Sequence, residues 1–144
     1  MPEGSNKTMK ELSVEADRKN LLKVQAFIDE ELEKAGCPML TQTTIDVAVE
    51  EIFVNIASYA YSQESGTAVI QLTMYEDPPA VEIIFIDEGQ PYDPLAKPDP
   101  DTTLSVRERK KGGLGIYMVK QRMDQMSYEY RDGKNVLTLR KKLE

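Results

Sequence analysis

Residues Thr43–Tyr61, TTIDVAVEEIFVNIASYAY, decide how the rest of the chain is read. Apolar residues at Ile45, Ala48, Val49, Ile52, Ile56 and Tyr59 recur at helical spacing and predict one long helix from Ile45 to Tyr61. Thr41, Thr43 and Thr44 are candidate caps for its start, and no Gly or Pro interrupts it before Gly66. Between Val47 and Ala57 it is apolar nearly all round, the composition expected of a helix packed on two sides. Glu50, Glu51 and Asn55 are set into that run. Glu51 and Asn55 project from one face, one turn apart. A carboxylate on a mostly buried helix is costly unless it is paired or has chemistry to do. Such a Glu suits a general base, and an Asn carbonyl is a hard oxygen ligand suited to Mg²⁺. The other reading is a solvated helix edge lined by polar residues, and this helix alone leaves both open.

Before this helix, Met1–Thr8 reads as a loose tail, Met9–Val14 as a short edge strand, and Ala16–Ala35 as an amphipathic helix ending at Gly36. After it, Thr67–Tyr75 alternates as a strand, Glu76–Pro79 is a turn, and the apolar Ala80–Ile86 reads as a central strand. Asp87–Lys111 shows no sustained periodicity, and a connection of that length in a small domain is more often a functional lid than an accident. A helix over Leu114–Met126 and strands at Ser127–Arg131 and Asn135–Lys141, turned at Asp132-Gly133, complete the chain. The pattern predicts a single α+β domain over residues 9–144, a two-layer sandwich with helices on one face of a mixed, mostly antiparallel sheet.

Composition narrows the function. A chain of 144 residues is long enough to bury a core, and its net charge of −7 argues against binding nucleic acid or an anionic membrane. Cys37 is the only cysteine, which fits a reducing compartment. No stretch reaches the roughly 18–20 apolar residues of a membrane span, and Met1–Asn6 lacks the apolar part of a signal peptide, so a cytoplasmic location is expected. With no His, the chain has no His-based triad, His metal site or phosphoacceptor His of its own.

Two motifs bracket the long connection. Asp87-Glu88-Gly89 follows the apolar strand directly; its carboxylate can accept from a ligand amine, and Gly89 leaves room for a planar group, although alone it reads as a plain turn. Gly112-Gly113-Leu114-Gly115 opens a helix, where backbone N–H groups and the helix dipole favour phosphate; a flexible connector is the alternative. Arg107, Arg109, Lys110 and Lys111 precede the glycines, as cations for a γ-phosphate or as a solvated basic patch.

Taken together and in this order, these motifs resemble the GHKL superfamily of ATP-binding domains over nearly the whole chain. Glu51–Asn55 is similar to its N-box, Asp87–Gly89 to its G1 box and Gly112–Gly115 to its G2 box. Asn55–Tyr61 (NIASYAY), Pro91–Pro94 (PYDP) and the run from Gly115 to Asp124 resemble the stand-alone anti-sigma-factor serine kinases. The resemblance implies the Bergerat-type fold, with ATP and Mg²⁺ as cofactors. It implies that Asn55 holds Mg²⁺ and that Asp87 accepts from the adenine amino group with Gly89 beside the base. Gly112, Gly113, Leu114 and Gly115 would bind phosphates through their backbone. Glu51 would be the base, with Arg107 or Arg109 as a lid cation. It further implies a STAS-type antagonist and a sigma factor as partners, and a homodimer. Tyr59 stands where many members carry His. Three functions follow: a protein-serine kinase, a non-catalytic ATP-dependent binding module, and the catalytic half of a histidine kinase whose His lies on another polypeptide.

Overall fold

The computed structural model describes residues 7–61, 66–96 and 114–143. Five strands and three α-helices make up the described fold: β1 (Lys7–Glu15), α1 (Leu21–Lys34), α2 (Met39–Tyr59), β2 (Thr67–Glu76), β3 (Pro79–Asp87), α3 (Leu114–Arg122), β4 (Gln125–Arg131) and β5 (Lys134–Lys142). Short 3-10 turns at Arg18–Asn20 and Pro94–Ala96 complete it. The sheet order is β1-β2-β3-β5-β4, so β1 is an edge and β3 is central, as expected from its apolar run. Every pairing among the described strands is antiparallel, where a mixed, mostly antiparallel sheet was expected.

One face of this sheet carries the core. Ile70 lies opposite Phe85 and Leu72 opposite Ile83; Phe85 and Ile83 in turn face Leu137 and Leu139. These side chains form one cluster with Val24, Ile28 and Leu32 of α1 and with Ile45, Val49, Ile52 and Phe53 of α2. Burying each large apolar side chain contributes about 1.5–3 kcal/mol. α2 lies between α1 and α3, touching both. Packing is less complete than the apolar run predicts, because Val47 is 48% exposed and Tyr59 51% exposed.

Several boundaries differ from the sequence reading, each for a local reason. β1 begins at Lys7 because Lys7 and Thr8 pair with Tyr75 and Met74, so the tail is shorter than expected. α2 begins at Met39, before the candidate threonine caps; the Pro38 carbonyl accepts the Gln42 N–H at 2.9 Å and starts the first turn. Thr44 sits inside the helix and donates to the Leu40 carbonyl. α3 ends at Arg122 rather than Met126, because Asp124 bonds the β5 backbone through its own N–H to Arg140 and its carboxylate to the Lys142 N–H. Met126 is thereby drawn into β4 opposite Leu139. The Asp132-Gly133 turn has positive φ at both residues, 55° and 78°, the geometry that favours Asp-Gly in a two-residue hairpin.

Asp29 of α1 and Asp46 of α2 each keep a buried oxygen with no partner among the described residues. Burial pushes the Asp46 carboxyl up to about 7, reinforced by Asp29 and Glu33. The folded chain therefore holds a proton that the unfolded chain releases near pH 4, and this group's contribution to stability falls as pH rises from there through about 7. Asp46→Asn removes that penalty. Urea unfolding should show the variant roughly 1 kcal/mol more stable than wild type at pH 8, with solvent screening counted, and the gain should shrink as pH is lowered toward 4.

Candidate active site

The C-terminal turn of α2 is docked onto the segment that follows β3. The Ala60 carbonyl accepts the Gln90 N–H at 2.9 Å, and the Tyr59 carbonyl accepts from the Gln90 side chain at 2.9 Å. The Tyr61 hydroxyl donates to the Thr67 carbonyl and accepts the Glu88 N–H, both at 2.8 Å. The Tyr59 ring stacks on Tyr92 with centroids 5.8 Å apart. Gly89 is held so closely that a Cβ there would lie 2.0 Å from the Ala60 carbonyl oxygen. Its lack of a side chain is thus required by helix packing, whether or not a ligand approaches its other side.

This docking sets Asp87 at one end of a pocket between α2 and the sheet. The pocket is only partly enclosed and opens to solvent. Ile52, Ile56, Phe85 and Leu137 give it apolar walls, and Asn55 and Asp87 bring polar groups to it. Asp87 is only 4% exposed. Its Oδ1 accepts from the Gly89 N–H at 2.9 Å and from Asn135 Nδ2 at 2.8 Å. Burial pushes the carboxyl above its ordinary value, while these two donors pull it down. A mostly apolar slot with one carboxylate at its end fits a planar heterocycle bearing an amino group.

Glu51 and Asn55 are both half-buried, and Glu50 faces solvent. Asn55 reaches the pocket, and its amide bonds to no described residue, which leaves its oxygen available to a hard cation. Among the described residues Glu51 has no ion-pair partner. Burial, with Glu50 second, raises its pKa. Its carboxylate ends against the start of α3, where a Cβ on Gly115 would lie 1.5 Å from Oε1. Three expected site residues from distant segments, Asn55, Asp87 and Gly89, thus meet at or beside one pocket, with Glu51 and Gly115 in contact near it. Arg107, Arg109, Lys110, Lys111, Gly112 and Gly113 lie outside the described residues, as does the Leu114 side chain.

Sequence reading missed Tyr128 and Asn135, which also line the pocket. A signal existed for Asn135: it shares the inward alternation of Leu137 and Leu139, so a polar side chain faces the core and demands partners.

The histidine kinase-like ATPase domain family matches residues 14–141. The serine/threonine-protein kinase BtrW of Bordetella bronchiseptica is 32% identical over 96 residues, covering 67% of this chain and 67% of that protein. The serine-protein kinase RsbW of Halalkalibacterium halodurans is 33% identical over 93 residues, covering 62% of this chain but only 56% of its own length. The crystal structure of the RsbU and RsbW domains of Rv1364c from Mycobacterium tuberculosis superposes with a TM-score of 0.68 at 19% identity, over 94% of this chain and 32% of that one. No helix among the described residues is long and apolar enough to cross a membrane.

Gly89→Ala tests the docking. Because the added methyl meets backbone rather than a flexible side chain, the variant should lose about 1–3 kcal/mol in chemical denaturation. Gly115→Ala meets only the movable end of Glu51, so its loss should be much smaller by the same measurement.

Proposed function

The chain belongs to the histidine kinase-like ATPase domain family, and on that premise we propose that it is an ATP-dependent protein-serine kinase of the anti-sigma-factor type. It would act in the cytoplasm on a STAS-type antagonist, with a sigma factor as second partner. The carrying observation is that α2 brings Asn55 to the pocket ended by Asp87, while Glu51, one turn away, is left without an ion-pair partner among the described residues.

In this reading the free oxygen of Asp87 accepts from the adenine amino group, and the apolar walls hold the ring. Asn55 holds Mg²⁺, which when bound neutralises charge on the ATP phosphates. Phosphoryl transfer leaves little covalent chemistry to the protein, so alignment and charge neutralisation are its main contributions. Glu51 takes the proton of the substrate serine as the serine oxygen bonds to the γ-phosphorus and the bond to ADP breaks. A raised pKa suits this role, because a base is most effective when its pKa lies near the working pH. The backbone of Gly112–Gly115 binds the phosphates, and Arg107 or Arg109 supplies a cation from the lid.

Incubation with γ-labelled ATP, Mg²⁺ and candidate STAS-domain proteins tests the proposal. Label should appear on a serine of one of them. Nucleotide binding without transfer to any would instead favour a non-catalytic, ATP-dependent binding module. Glu51→Gln should keep nucleotide affinity and lose about 10²–10⁴-fold in transfer; turnover at the wild-type rate would remove Glu51 as the base. Asn55→Ala should keep its fold and lose Mg²⁺-dependent ATP binding, measured by calorimetry with and without the metal.

A further inference from the structure

Asn135 stands at the start of β5, 5% exposed, and the phosphoryl-transfer chemistry gives it no part. Its Oδ1 accepts from the Tyr128 hydroxyl and from the Tyr92 N–H at 3.1 Å. Its Nδ2 donates to Asp87 Oδ1 at 2.8 Å and to the Gln90 carbonyl at 2.9 Å. The Tyr92 N–H also reaches the Tyr128 oxygen at 3.2 Å, so that oxygen is an acceptor there and turns its own proton toward Asn135. Burial keeps the Tyr128 hydroxyl protonated. The amide consequently has one orientation. Flipped, its NH₂ would face two donors, and its oxygen would face a carboxylate and a carbonyl.

We propose that Asn135, oriented by Tyr128 and Tyr92, is a positioning residue that fixes the Asp87 carboxylate for nucleobase recognition, reserving Oδ1 for the protein and Oδ2 for the ligand. Oδ1 already has two donors, Asn135 and the Gly89 N–H, whereas Oδ2 has none among the described residues. A carboxylate free to rotate would offer the ligand either oxygen and take up a proton more readily. The Asn135 amide opposes both: its N–H pins Oδ1 at a fixed point and strengthens when that oxygen is ionised. It also ties Gln90 and Tyr92 to the same point, so the segment leading away from β3 is held in register with the carboxylate. Among the described residues, the other titratable or charged groups near this cluster include Tyr61, Glu88 and Lys134 beside Asp87, and Asp93 and Tyr130 beside Tyr128. The inference rests on the ATP reading above.

Asn135→Asp is the decisive substitution. One oxygen of the new carboxylate still accepts from Tyr92 and Tyr128, but the other faces Asp87 Oδ1 where an N–H stood. Two carboxylates in one site must share a proton. Mg-ADP binding, measured by calorimetry between pH 5.5 and 8.5, should be nearly flat for wild type. For the variant it should approach wild type at low pH and fall about tenfold or more as pH rises, the loss expected when a charged hydrogen bond becomes a repulsion. Carboxyl ¹³C NMR of the ligand-free protein should show Asp87 titrating higher in the variant. Tyr128→Phe leaves the amide and one of its two orienting donors in place, and should weaken binding a few-fold with a flat pH profile. Parallel pH profiles for wild type and Asn135→Asp, an unmoved Asp87 titration, or unchanged affinity in both variants would overturn the assignment. Absence of Mg-ADP binding by wild type would overturn the ATP reading and nucleobase recognition with it, while the ligand-free Asp87 titration would separately report whether Asn135 holds the carboxylate.

Discussion

The approach of Gly89 to the Ala60 carbonyl is the contact on which the site depends. A helix end leaves its last carbonyls without partners inside the helix, and water or another segment must supply them. Here Gln90 does so with both its backbone and its side chain. Tyr61 then ties the start of β2 to the residue after Asp87. The last turn of α2, the first residue of β2 and the end of β3 are thereby one rigid joint. Asn55 and Asp87 come from different layers of the fold, and this joint holds them to one pocket.

The rest of α2 explains why the joint stays where it is. Ile45, Val49, Ile52 and Phe53 are fully or almost fully buried against the sheet. A shift of the helix along its axis would break packing at all four. Three polar residues of α2 occupy what this burial leaves over: Glu50 in water, Asn55 lining the pocket and Glu51 half-buried against Gly115. Spacing within the helix thus assigns each carboxylate its surroundings, and the surroundings assign its chemistry.

Much of this was legible in the sequence because the periodicities are clean. The alternation of Thr67–Tyr75, the apolar run ending at Asp87 and the Asp132-Gly133 turn each specify local structure through short-range physics. The resemblance carried by E-x-x-x-N and D-x-G, rather than any periodicity, implied a common site for Asn55 and Asp87, and both residues line one pocket. What escaped was set by partners far along the chain. Met126 reads as the end of a helix until β5 supplies Leu139 opposite it. The start of α2 is the exception and escaped for a local reason, because the Pro38 carbonyl rather than a threonine side chain takes the first N–H. Asn135 lies 48 residues from Asp87, and only the β3–β5 pairing makes them neighbours.

The two carboxylates of the site show how one helix–sheet layer serves opposite demands. Burial raises the pKa of both Asp87 and Glu51. At Asp87 two donors oppose the rise, which favours an ionised acceptor whose direction is fixed. At Glu51 no donor among the described residues opposes it, and Glu50 adds to it, which favours a group able to take up a proton. A recognition residue gains from being unable to change its protonation, and a base gains from the reverse. The difference lies in the neighbours rather than in burial: Gly89 and Asn135 give Asp87 its donors, and the bare Cα of Gly115 gives Glu51 space without one.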